Sequence, residues 1–144
     1  MREEGSASLE LALGMAMLVI PAVVMVASFS IWLEARAFVR AGAAEGARAA
    51  VLAEGDPAAA GTAVVADMAT GRGFPPDEVT VSMCGGPSLA AGSGSGSCIL
   101  DRGVLVTASV SVEVPLVETP WGEVGGVKVA ASHAEPVDAY RSLP

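Results

Sequence analysis

The chain has 144 residues, 52% of them hydrophobic, and a mean hydropathy of +0.55, which is enough for one modest domain but too apolar for an ordinary soluble one. A formal net charge of -8, with Lys128 the single lysine, argues against the basic footprint of a nucleic-acid-binding protein. Two cysteines and one histidine cannot close a four-ligand zinc site.

The first element is an apolar run. From Leu11 to Leu33 no residue is charged, and a helix of that length rises about 34 Å, enough to cross a hydrocarbon core of about 30 Å. A cleaved secretory signal has a shorter core and a positive amino-terminal flank, whereas here Arg2 is set against Glu3 and Glu4. The run therefore reads as a retained transmembrane helix. Pro21 lies near its middle, where it removes a backbone donor and predicts a kink that membrane helices tolerate. Trp32 marks the far end, since an indole suits the membrane interface.

The helix is expected to continue beyond the span, because Glu34 to Glu54 contains no proline and is rich in alanine. Ala35, Phe38, Val39, Gly42, Gly46, Ala50 and Val51 form a narrow apolar stripe at helical spacing, and its small residues permit close helix packing. Gly55-Asp56-Pro57 then ends one helix and begins another, with Asp56 as N-cap and Pro57 at the first helical position. This second, short helix spans about Pro57 to Thr70 and stops at Gly71-Arg72-Gly73.

From Glu78 the period changes to two. Val79, Val81 and Met83 alternate with Thr80 and Ser82, and the same pattern recurs from Val104 to Val114. A third run, Val127 to Ser132, follows the segment PLVETPWGEVGG, which reads as a long connection within an antiparallel hairpin. The expected fold is thus α+β: a long transmembrane helix continuing into an amphipathic one, a second short helix, and a small three-stranded antiparallel sheet.

Cys84 and Cys98 flank a low-complexity segment, Ala90 to Ser97, that reads as a flexible loop. An even cysteine count beyond a membrane span suggests a disulfide in an oxidising compartment, the alternative being two separate thiols. Catalysis finds little support. His133, on the same strand parity as Val129 and Ala131, is not matched with a cysteine or a carboxylate pair and reads as a packed or rim residue. Ser6 and Ser8 lie in no nucleophile elbow, and GGPSLAAGSGSGS lacks the lysine of a phosphate loop. No enzyme activity, cofactor or metal site is expected. Trp121, between strands, reads more readily as a packed aromatic than as an exposed contact.

One carboxylate needs a reason. Glu10 stands at the mouth of the apolar run, although an ionised carboxylate leaving water is costly unless paired. A helix-initiating residue in the headgroup zone, favoured by the helix dipole, is the simpler account. The other begins from Gly5 and Ser6: a short charged leader ending in glycine, then a glutamate at the fifth position of the segment that starts at Ser6. That arrangement resembles the class III signal of type IV pilin-like proteins. The resemblance implies that a prepilin peptidase cuts between Gly5 and Ser6 and that the helix stays. The new Ser6 ammonium would then be neutralised by Glu10 of a neighbouring subunit in a low-dielectric filament.

GSASLELAL, the central Pro21, the exit helix with AAEGARAAVL, the two cysteines, and the ending VSVEVPLVETPWGEVGGVKVAASHAEPVDAYRS together resemble the TadE-like minor pilins of tight-adherence (Tad) pilus systems, in their actinobacterial form. Leu11 departs from the pattern, because an aromatic often follows the glutamate in that family. The resemblance implies a leader over residues 1–5, a transmembrane and exit helix over 6–54 with its span at about 11–33, and an extracytoplasmic α+β module over 55–144. It implies a pseudopilin with a structural or adhesive role. The implied partners are the prepilin peptidase, other pilin subunits, the Tad membrane assembly platform and membrane lipid. Its expected place is the cell membrane, single-pass, and the pilus itself. The alternative is a bitopic envelope protein of another secretion or surface system. Arg36, Arg40 and Arg48 just beyond the span oppose this orientation by the positive-inside rule; the leader pattern and the cysteine pair favour it.

Overall fold

The computed structural model describes residues 6–84, 89–90, 98, 100–119 and 121–138. It is an α+β fold with the element order α1 (Ser6–Leu52), α2 (Pro57–Gly71), β1 (Val79–Met83), β2 (Leu89–Ala90), β3 (Leu105–Thr119) and β4 (Gly122–Pro136). The sheet is antiparallel, with strand order β2-β1-β3-β4. Its three longer strands are those expected, and the two-residue β2 adds an edge, so that Ala90 pairs with Thr80 and is not part of a loop.

One helix serves two environments. The stripe read along its second half is the core: Ala35, Phe38, Val39, Ala50 and Val51 are buried, together with Ala43 and Ala47 between them. α2 starts where the sequence placed it. The Asp56 carboxylate accepts hydrogen bonds from the backbone N–H groups of Ala58 (2.9 Å) and Ala59 (3.2 Å), satisfying two donors that a helix start leaves without partners. Inside α2, the buried Thr62 hydroxyl donates to the Ala58 carbonyl at 2.8 Å. The two helices come into close contact at Gly46 and Gly61: a Cβ on Gly61 would lie 2.7 Å from the Gly46 carbonyl oxygen and would also meet the Met83 methyl. Phe38 and Phe74 stack with ring centroids 4.8 Å apart.

The alternation read in the strands sets the face that the helices cover. Val79, Val81 and Met83 of β1 lie opposite Val112, Val110 and Ala108 of β3, and all six are buried against the helices. On β4, Val129 is buried, whereas His133, on the same face opposite Ala108, is exposed at the rim beside Glu135, 3.2 Å away.

The long connection expected before the last strand is itself strand. β3 and β4 keep one register from Leu105↔Pro136 through Val114↔Val127 and Pro115↔Gly126 to Thr119↔Gly122, with the ladder interrupted at Leu116 and Gly125. Pro115 and the glycine pair Gly125-Gly126 look like loop punctuation in the sequence. Yet Pro115 lies past Val112, the last β3 residue paired with β1, where β4 is the one strand beside β3 among the described residues, and a strand edge tolerates a missing N–H. Gly125 sits at φ +69°, a conformation that glycine adopts without strain.

Candidate membrane and assembly site

Gly5 and the rest of residues 1–5 lie outside the described residues, and Ser6 is the first residue of α1. Glu10 follows one turn later on an exposed stretch of the same helix. From Leu9 to Leu33 the helix presents Leu, Met, Val, Ile and Phe side chains to its surroundings, with Met17 81% exposed. The helix is long and apolar enough to cross a membrane. Pro21 is inside this segment, exposed, and α1 continues through it as one helix.

The change of surroundings falls between Phe29 and Phe38, about two and a half turns. Phe29 and Leu33 are exposed, Ile31 and Trp32 half-buried, Ala35 and Phe38 fully buried. At this boundary Phe29 and Trp32 stack at 5.9 Å between centroids, and the Arg36 guanidinium lies 5.2 Å from the Trp32 ring centroid, a cation–π contact. An aromatic pair under a cation suits a helix leaving an apolar phase for water.

The β3–β4 ribbon returns along the helix towards this boundary. Val106 packs with Ala50 and Val51, the Val110 methyls lie beside Gly42, and Val114, Pro115, Leu116 and Val127 line an open groove of about 310 Å³ with Met25, Ser28, Phe29 and Trp32. The dimensions agree: about 33 Å of strand from Val106 to Leu116 matches about 33 Å of helix from Val51 to Phe29. At the end of the ribbon, Trp121 is 92% exposed. Trp121 is therefore a surface residue, contrary to the packed reading, because the extended ribbon carries the turn away from the core. The continuous valine pattern could have revealed that length had Pro115 not masked it.

Cys84 and Cys98 form a disulfide, with Cα atoms 5.4 Å apart, within the span such a bond requires. Cys84 directly follows β1, and its N–H donates to the Thr107 carbonyl at 2.7 Å, so the bond ties Cys98 to the end of that strand. The loop read between the cysteines, residues 91–97, lies outside the described residues. Among the described residues, no group of three or more His, Cys, Asp or Glu is placed to hold a metal ion. In comparisons with known proteins, no family model, no curated protein and no solved structure matches the chain.

Proposed function

We propose that the protein is a minor pilin, or pseudopilin, of the tight-adherence type. It is anchored by the first half of α1, carries its α+β module outside the cell, and enters or primes a filament after a prepilin peptidase removes residues 1–5. The observation that carries this reading is the division of α1 into a bare apolar half and a half fully built into a folded head. A bitopic receptor or enzyme has no need to continue its membrane helix as the spine of its domain, whereas a subunit that must leave the membrane with its head attached does. The leader ending in Gly5, Glu10 behind it, and the disulfide, which belongs to an oxidising compartment, support the same reading. Its role is structural, without catalysis or cofactor. Its partners are the peptidase, other pilin subunits, the assembly platform and lipid.

Glu10 is the test. In the filament its carboxylate pairs with the Ser6 ammonium of the next subunit, attractive only when that subunit stands at the right height. Glu10→Ala makes the span more apolar, so insertion and cleavage persist. Assembly suffers, because breaking a buried pair costs about 3–5 kcal/mol, and about 1.4 kcal/mol is a factor of ten. Pili sheared from cells expressing either form are blotted beside the membrane fraction, and mass spectrometry reads the mature terminus. The expected result is a Ser6 terminus in both and a more than tenfold loss of the variant from the sheared fraction. Equal amounts there would make Glu10 a headgroup-zone residue and remove the assembly argument.

A further inference from the structure

We infer that the groove between α1 and the β3–β4 ribbon holds one phospholipid, with an acyl chain against Phe29, Trp32, Leu116 and Val127 and the phosphate at Arg36 and Arg40. The inference rests on the anchoring half of the proposed function and names the lipid that this half retains. The groove is open and has a volume of about 310 Å³. Met25 and Trp32, its limits along α1, are about 10 Å apart on the helix axis, which covers the upper part of one leaflet's hydrocarbon, about 15 Å deep. Ser28 offers that phase no free donor, because its hydroxyl donates to the Val24 carbonyl at 2.9 Å. Met25 and Phe29 line the groove while staying 73% and 57% exposed, so it opens onto the same apolar surface that lipid chains cover on the rest of the bare helix.

Charge at its upper end separates this groove from a plain contact with bulk lipid. Trp32, Arg36 and Arg40 follow at intervals of four along one face of α1. The Arg36 guanidinium lies 5.2 Å from the Trp32 ring centroid, and Arg40 is exposed one turn further on. Arg48 is paired with Glu45 at 3.8 Å, whereas neither Arg36 nor Arg40 has an ion-pair partner among the described residues. Glu34 stands round the helix from Trp32, two positions on. On the ribbon, Glu113 and Lys128 alternate with the groove residues Val114 and Val127 and so belong to the other face of the sheet. Apolar walls, an indole and then two unpaired cations follow the order of a phospholipid from chain through glycerol to phosphate. A guanidinium matches a phosphate with parallel N–H donors. Two cations against one phosphate favour a headgroup with no cation of its own, so phosphatidylglycerol is held in preference to phosphatidylcholine. The arginines that oppose the expected orientation thereby gain a partner on the side where the head stands.

The experiment uses the full chain in phosphatidylcholine vesicles at high lipid excess, where copies do not meet. Trp121→Phe leaves Trp32 as the single indole. A minor fraction of the lipid carries bromine on the upper part of its chains, either as phosphatidylglycerol or as phosphatidylcholine, and quenching of Trp32 reads the brominated chains beside it. The expected result is several-fold stronger quenching by the phosphatidylglycerol at equal mole fraction. Quenching should fall to the phosphatidylcholine level in Arg36→Gln/Arg40→Gln, and also in Ser28→Leu, whose added bulk fills the groove from the helix side. Equal quenching by the two lipids would show that Trp32 meets bulk bilayer only, so that the anchor stands and the site is refuted. A preference that survives Arg36→Gln/Arg40→Gln would refute the phosphate contact. One that survives Ser28→Leu would refute the groove as the seat of the chain, because the arginines then gather anionic lipid diffusely. No quenching in vesicles made wholly of brominated phosphatidylcholine would overturn the anchor and the site together.

Discussion

Gly61→Ala tests whether the head depends on the close crossing of α1 and α2. Alanine is worth about 1 kcal/mol over glycine in a helix interior, so propensity alone predicts a more stable protein. The structure opposes it: the new Cβ would lie 2.7 Å from the Gly46 carbonyl oxygen, a backbone atom, and would also press on the Met83 methyl. The methyl can swing aside; the carbonyl moves only with its helix. Relief requires the helices to part by about half an ångström, which loosens Val65 and Met83 at the same crossing, and overpacking of this kind costs about 1–3 kcal/mol. We expect a net loss of about 1–2 kcal/mol, or roughly 5–10 °C in Tm for a head of this size. Calorimetry of the full chain in detergent micelles measures it. Gly71→Ala is the control, since a Cβ there meets nothing within 4 Å, and it should stabilise by up to about 1 kcal/mol. A Gly61→Ala protein as stable as the Gly71→Ala protein would refute the argument from the carbonyl.

The other predictions are simpler. Asp56→Ala removes the acceptor for the Ala58 and Ala59 N–H groups and should lower the stability of the head by about 1 kcal/mol in the same calorimetric assay. Cys84 and Cys98 should resist a membrane-impermeant alkylating reagent until reduced, and replacing both with serine should cost up to about 3 kcal/mol on the loop-entropy model, read as a lower midpoint of thermal unfolding. Gly5→Val should leave the leader in place, because its branched side chain would crowd the peptidase site that must hold the backbone at the cut, where glycine offers no side chain; mass spectrometry would then find the amino terminus unprocessed, and a normal Ser6 terminus would refute the cleavage assignment.

Legibility in the sequence followed the range of the interaction. The stripe from Ala35 to Val51 and the Asp56-Pro57 helix start were readable because each depends on neighbours within a turn or two. The alternation from Val79 and from Val104 was equally plain, since one face of each strand is buried. What escaped depends on distant partners. Pro115 reads as a stop, and only the pairing of β3 with β4 on one side and the absence of β1 beyond Val112 explain why the strand continues. Gly61 looks like any glycine in an alanine-rich helix, because its crossing partner, Gly46, is fixed by the turn between the helices. At the candidate membrane site the apolar run was visible locally, whereas the groove between Phe29 and Leu116 joins residues far apart in the chain.

The size of the apolar residues along α1 explains why one uninterrupted helix can serve both surroundings. Its exposed half is built from Leu, Met, Ile, Val and Phe, whose long side chains enlarge the surface that a lipid phase must cover and would hold a second helix at a distance. Its buried half is mainly Ala and Gly, with Phe38 and Val39 as the large fully buried exceptions, which allows α2 and the sheet to approach the backbone itself. Along the buried stripe the residues stay apolar across Leu33 but side-chain volume falls abruptly, while the exposed Glu34, Arg36, Arg40, Glu45 and Arg48 make the other faces polar, so that packing density marks where the protein core begins. A large residue at Gly46 should therefore damage the head without affecting anchoring, and a small residue at Leu18 should do neither. The first half meets its solvent as bulk surface, whereas the second meets particular neighbours, such as Val65 and Met83 near Gly46.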